Sequence, residues 1–383
     1  MAKYTEFYKG RRSKRRNYAL IPSIILVFVI SVTVVLFYSM QKYAVVSKDG
    51  VEVVLPMLQD ENTIINEQGK EVRVFDAVDA PLVFDPADYS NVKATAGKYL
   101  DGVRAIFVPS GDINLQKLDE YAKRLNAGNA LVLEMKPRSG VLMWNTAAAE
   151  AVNYGMNMTT EITNIMPQIV EALKEQDIYL VAQISCCIDE LYASRSTTVT
   201  LRTEYGANYM DVNGTWLDPY NASLRSYIVQ LCEELFALGF DEVVLADVAH
   251  PVLPTDQEQP IKLVYTRDMS TEPSPVNAVC CFAMYVSEQL KDVDGTLSIR
   301  IDSKTALVKP DVSNGQDAVL FMKIFDRVYL DTDKFAYPYN VTDIEKNVTI
   351  GEVHDRLVPV VINYLPDNTS WVLVDQEEET EDD

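Results

Sequence analysis

From Gly102 onward the sequence alternates short apolar, β-branched runs with longer segments of helical period, and no other feature restricts the fold as tightly. The strand candidates are Val103–Val108, Ala130–Glu134, Ile178–Ile184, Glu242–Ala246, Leu297–Ile301, Arg327–Leu330 and Val358–Ile362, with room for an eighth. Between them, residues 115–125, 162–175, 222–238, 276–290 and 317–325 place apolar side chains three and four apart, which predicts helices with one buried stripe. Gly239 suits a helix C-cap. Near-continuous apolar strands joined by crossover helices make a parallel sheet covered on both faces. This many units predicts a closed (β/α)8 TIM-like barrel over residues 98–370 rather than an open doubly wound sheet, with a degenerate barrel as the variant.

The N-terminal part obeys a different constraint. Ala19 to Met40 is an uncharged apolar run, and as a helix at about 1.5 Å per residue it would reach roughly 33 Å, enough to cross a hydrocarbon core. Residues 1–18 carry seven Lys/Arg and one acid, so the positive-inside rule puts them in the cytoplasm and the main domain outside, at a cell membrane. A cleaved signal peptide is the rival, but its apolar region is shorter, and Ser39-Met40-Gln41 offers no good cleavage site. The expected order is a basic cytoplasmic segment (1–18), a transmembrane helix (19–40), a stalk or lead-in (41–97), the barrel (98–370) and an acidic tail (371–383).

The formal charge of −22 includes +6 on residues 1–18, so the remainder carries −28 and should repel nucleic acid. Only two histidines exist, His250 and His354, which nearly excludes multi-histidine zinc or copper sites. No GxGxxG or Walker-type loop occurs, and neither a cofactor nor a resident metal is expected. Cys186-Cys187, Cys232 and Cys280-Cys281 sit in apolar surroundings and read first as packed thiols, with a bridge between the two pairs as the alternative. Asn-x-Ser/Thr sequons occur at Asn157, Asn213, Asn221, Asn340, Asn347 and Asn368.

In such a barrel chemistry sits at the C-terminal ends of the strands. These ends carry Glu134 and Lys136, Asp189, Asp247 and His250, Asp302, and Asp331, with Trp144, Trp216, Tyr220 and Tyr337 as nearby aromatics. Carboxylates serve as acid, base or nucleophile, and flat rings stack on sugars. An Asp at a strand end also commonly caps the following helix, and the Trp216-Leu-Asp218-Pro-Tyr220 turn could simply anchor a loop.

The stretch Ile169 to Pro251 resembles a family of glycoside-hydrolase-like proteins with an amylase-like TIM barrel, itself of inferred function. Leu173 to Ile184 is similar to the family's third-strand segment, Trp216-Leu-Asp218-Pro-Tyr220 to its Trp-x-Asp-Pro-Tyr turn, and Leu238-Gly-Phe-Asp-Glu242 to its Gly-Phe-Asp-Glu strand. Glu134-Met-Lys136 stands where its Asp-x-Lys lies, and Gly315-Gln-Asp317 resembles part of its later half. The fourth strand departs from the pattern Phe-Asp-Tyr-Val-Arg-Phe-Pro. Ala246 stands at the acid and Ala249 at the arginine, while Gln183 replaces an arginine and Arg300 an acid. Asp247 lies one step along, on the opposite face of a regular strand, unless a bulge restores the register.

The resemblance implies a glycoside-hydrolase-like barrel acting on, or binding without cleaving, a cell-envelope or extracellular polysaccharide. Glu134, Asp247 and Asp302 are the expected catalytic groups, and Lys136, Asp189, Trp216, Asp218, His250 and Asp331 the expected substrate contacts. From a different class, a non-enzymatic scaffold in an envelope complex, with a protein partner, is the alternative.

Overall fold

The computed structural model describes residues 29–32, 44–47, 50–53, 63–65, 71–73, 100–125, 129–254, 261–266, 274–302, 305, 310–331, 356–362 and 370–375. The chain divides into two compact units, Met1–Leu82 and Val83–Asp383. In the first, residues 29–32 are helical, and two antiparallel hairpins pair Ala44–Ser47 with Gly50–Val53 and Thr63–Ile65 with Glu71–Arg73. Among the described residues no helix is long and apolar enough to cross a membrane. Apart from 29–32, the run 19–40 lies outside the described residues, as do the basic segment 1–18, Tyr337 and most of the acidic tail.

The second unit is a closed barrel of eight parallel strands. Its elements in chain order are β1 (Arg104–Val108), α1 (Leu115–Lys123), β2 (Ala130–Lys136), α2 (Glu161–Lys174), β3 (Tyr179–Ser185), α3 (Ala222–Leu238), β4 (Glu242–Ala246), α4 (Pro275–Leu290), β5 (Thr296–Ile301), α5 (Ala318–Ile324), β6 (Arg327–Asp331), β7 (Leu357–Ile362) and β8 (Trp371–Val374). All seven expected strands form. β8 is the one sequence periodicity did not reveal, and it carries the barrel past the expected boundary at residue 370. It pairs with β7 on one side and β1 on the other, and Trp371 N–H donates to Val103 O at 2.7 Å across the closing seam.

The helices start and stop where local chemistry dictates. Asn221 caps α3 by accepting from Leu224 N–H, and Gly239 ends it in the left-handed region at φ 110°, which a residue without Cβ adopts freely. Thr160 and Thr163 form a reciprocal capping box at the start of α2.

Strand alternation sorts the core into two layers. On β2, Leu131, Leu133 and Met135 face the helices, while Ala130 and Val132 join Val181, Val244, Tyr329 and Val360 in filling the barrel. At the strands' N-terminal ends the interior turns polar. Glu242 accepts from the Tyr179 hydroxyl (3.0 Å), the Ser298 hydroxyl (2.5 Å) and the Arg327 guanidinium. The filled interior leaves the opposite, C-terminal mouth as the place where lumen-facing side chains reach solvent.

All five cysteines are free thiols. Cys186, Cys187, Cys232 and Cys280 are buried and Cys281 is exposed, so no disulfide joins the two adjacent pairs.

Candidate functional site

The lumen-facing positions at the strand ends converge on a cavity of about 710 Å³ at the C-terminal mouth. Glu134, Lys136, Trp216, Asp247, His250, Asp302 and Asp331 all line it. Seven of the nine residues singled out from sequence therefore meet in one place.

Glu134 follows Ala130 and Val132 on the inner face of β2. Its Oε2 accepts from both the backbone N–H (3.0 Å) and the hydroxyl (2.8 Å) of Ser110 in the β1–α1 loop. Two donors on one oxygen fix the side chain in place. Beyond Glu134 the register against β3 shifts, so that Glu134 faces Gln183 and Lys136 faces Ile184.

Asp247 reaches the cavity by a route the regular strand does not offer. β4 ends at Ala246, and Asp247 adopts φ 54°, one of only two non-glycine residues at positive φ among the described residues. That turn resolves the face problem posed by the sequence. Left-handed backbone is strained for a residue carrying a Cβ, and Asp is among the few that tolerate it. The carboxylate is held by Arg138 through Nη2 (2.6 Å) and Nε (3.1 and 3.2 Å) and lies 2.7 Å from the Ser185 hydroxyl. Hydrogen bonding to Asp247 pushes the Arg138 guanidinium up, against the lowering effect of burial.

On the far side, Arg300 donates to Asp331 (Nε, 2.8 Å) and to Gln183 (Nη1, 2.9 Å). These are two of the positions that depart from the family pattern, and they satisfy one another. Both guanidiniums of the cavity are thus paired with its own carboxylates.

His250 is 3 % exposed, and burial lowers its pKa to about 4. Its Nδ1 lies 3.0 Å from Pro251 O and its Nε2 3.0 Å from the Tyr265 hydroxyl. A carbonyl only accepts, so Nδ1 carries the proton and Nε2 accepts from the tyrosine. His250 is a neutral, locked wall of the site. Trp216, 5 % exposed, follows a short hairpin (Met210–Asp211 with Gly214–Thr215) whose tip residues Val212 and Asn213 also line the cavity.

Asp189 and Asp218 are the exceptions. Both are fully buried and neither reaches the cavity. Asp189 caps the helix Glu190–Arg195 by accepting from Tyr192 N–H, and pairs with Lys136 Nζ at 2.8 Å. Lys136 also donates to Ser185 O at 2.6 Å, and its side chain is wholly buried. Asp218 accepts from Tyr220 N–H and from the N–H and hydroxyl of Thr266, stapling two loops together. Of the expected aromatics, Trp144 instead donates its indole N–H to Glu234 (2.9 Å), and Tyr220 packs edge-on against Tyr265.

Sequence reasoning did not single out Ser110, Arg138, Ser185 or Asn213. Arg138 was detectable in principle, because it closely follows the strand end that carries Glu134 and Lys136. Ser110 and Asn213 had no local signal, because only the closed barrel brings their loops over the mouth. Among the described residues no group of three or more His, Cys, Asp or Glu is arranged to hold a metal ion.

Residues 105–338 match the family described as "Putative glycosyl hydrolase domain". Similar solved structures include a hypothetical protein from Ruminiclostridium thermocellum, at 20 % identity over 51 % of this chain and 96 % of that one (TM-score 0.43). They also include the glycoside hydrolase domain of PgaB (BpsB) from Bordetella bronchiseptica, at 12 % identity over 71 % and 93 % (TM-score 0.49). The glycoside hydrolase domain of PelA from Pseudomonas aeruginosa is similar at 14 % identity over 71 % and 98 % (TM-score 0.40). No curated protein matches the sequence.

Proposed function

Because the chain belongs to this family of glycosyl hydrolase domains, we propose that its barrel takes a polysaccharide into the C-terminal cavity, with Glu134 and Asp247 as the reacting carboxylates and Asp302 in support. The observation that carries the reading is that Glu134 and Asp247, from strands β2 and β4, line one cavity although the strand position that faces inward on β4 is an alanine. Glycoside hydrolysis needs two carboxyl groups flanking the scissile bond, one donating a proton to the leaving oxygen while the other attacks or activates water. Gln183, Asp331, His250 and Trp216 supply the polar and aromatic wall that would orient a sugar.

A second reading is favoured by the Arg138–Asp247 ion pair. A carboxylate already engaged by a guanidinium is a weaker nucleophile or base, and a barrel in that state binds a glycan without cutting it.

We further propose that the barrel stands outside a membrane, anchored by residues 19–40, with residues 1–18 in the cytoplasm. The charge asymmetry around that run supports this orientation. Cysteine labelling at an introduced Ala2→Cys or Lys48→Cys position in a Cys281→Ser background, with and without permeabilisation, tests it.

The test of function is retention of the full chain on insoluble polysaccharides, with released reducing ends measured on a soluble glycan panel. Release that disappears in Glu134→Gln supports a hydrolase, and retention without release supports a binding barrel. Neither signal returns the weight to a scaffold that recruits a protein partner.

A further inference from the structure

Arg138 does more than neutralise one acid. Its guanidinium donates to Asp247 through Nε and Nη2 and, through Nη1, to the Asn213 side-chain oxygen at 3.1 Å. Asn213 sits at the tip of the hairpin that forms one lip of the cavity, and its neighbour Val212 projects fully into solvent at that lip.

The two ends of this linkage are built firmly. Glu190 N–H donates to Arg138 O, and the Glu190 carboxylate accepts from Thr215 N–H (2.7 Å) and the Thr215 hydroxyl (2.9 Å) in the hairpin stem. One residue therefore anchors both the backbone that carries Arg138 and the hairpin that Arg138 holds. At the other end, the Asp247 side chain is only 15 % exposed, turns inward on a left-handed backbone and meets Ser185.

An exposed ion pair usually contributes little, and that is the plain reading of a half-exposed arginine. Three features argue otherwise. The contact is forked, its acid is mostly buried and backbone-strained, and the third guanidinium nitrogen is committed to a separate element, the hairpin tip. The other charged groups acting on Arg138 are Asp331 at the end of β6 and Asp211 in the hairpin.

We infer that Arg138 is a positioning residue that couples the hairpin tip at Asn213 to the Asp247 carboxylate, so that a glycan pressing on the lip alters where that carboxylate stands. The inference rests on the reading of Asp247 as a working group of the site. A ligand that draws Asn213 away takes one partner from the guanidinium and frees Arg138 to shift, which converts contact at the mouth into exposure of an acid at the centre.

The test is hydrogen exchange of the full chain over residues 208–216, with Asp247→Asn, Arg138→Gln and the double variant. Coupling through Arg138 predicts that Asp247→Asn speeds exchange at the tip about tenfold, the size expected for residues sharing one network, and adds nothing in the Arg138→Gln background. Arg138→Lys, which keeps the charge and loses the fork, should behave like Arg138→Gln. Exchange at the tip unchanged by Asp247→Asn overturns the coupling. A second readout separates positioning from mere packing. Without the fork Asp247 loses its fixed position, so Arg138→Gln should lower the kcat of glycan release about tenfold with KM little changed, and Arg138→Lys should not restore it. A loss confined to KM, or recovery in Arg138→Lys, overturns the positioning role. Tip coupling in a protein that handles no glycan supports the linkage and counts against the glycan reading instead.

Discussion

Glu242 and Arg327 meet at the floor of the barrel, from β4 and β6, with side chains 0 % and 2 % exposed. Tyr179 and Ser298 complete the shell around the carboxylate, and Arg327 also reaches Asp101 O at 2.6 Å. The glutamate of the Gly-Phe-Asp-Glu landmark is therefore part of the barrel's foundation, at the end opposite the cavity.

A buried charge stripped of its partner is far more costly than the loss of the pair. Glu242→Ala should destabilise by about 3–5 kcal/mol, whereas Glu242→Leu combined with Arg327→Met should lie nearer wild type than either single change. Chemical denaturation at neutral pH reads both, and a near-neutral Glu242→Ala would show that water enters the floor.

His250 sets a pH dependence of known sign. Its folded-state pKa of about 4 lies below the ordinary 6.5, so between these values the unfolded chain binds a proton that the native state does not. The contribution is whole above pH 6.5 and is lost as pH falls toward 4, by about 3 kcal/mol in all. His250→Gln should flatten that part of the stability profile. A denaturation midpoint in which the wild type and the variant fall in parallel from pH 7 to 4.5 would show that another group is responsible.

Gly140 is confined by φ 80° and by its neighbour, because a Cβ built there would lie 1.9 Å from Asp189 Oδ1. Gly140→Ala should therefore disturb the Lys136–Asp189 pair and destabilise by more than about 2 kcal/mol, while Gly155→Ala, with open space around its Cβ position, should carry only the smaller cost of its positive φ. Thermal unfolding of the two variants side by side decides it.

Burial pushes the thiols of Cys186, Cys187 and Cys232 up, Cys187 to about 12, and Cys280 is likewise enclosed. A buried, protonated thiol is inert. A chromogenic thiol reagent should find one reactive group, Cys281, in the native chain and five after denaturation. More than one in the native state would reveal opening of the barrel wall.

Apolar runs and helical period made the barrel legible, and strand ends made most of the cavity legible. What escaped did so for physical reasons. β8 is four residues long, and the alternation that flags other units is missing beside it in sequence. Asp189 and Asp218 have the composition of site residues, but a carboxylate at a turn is equally suited to accepting backbone N–H groups, and in the fold both are buried and do so. Asp247 was the reverse case. Parity along β4 argued against it, and a single left-handed residue, invisible in composition, turned it inward.

The barrel closes between β1 and β8, where Val103 N–H donates to the Ser370 hydroxyl across 267 positions of sequence. Until the final strand is delivered, β1 presents a bare row of donors and acceptors to whatever lies beside it. Synthesis at the ribosome thus leaves that edge uncovered for nearly the whole time the barrel is being made, and a chain stopped before Trp371 would leave it uncovered for good.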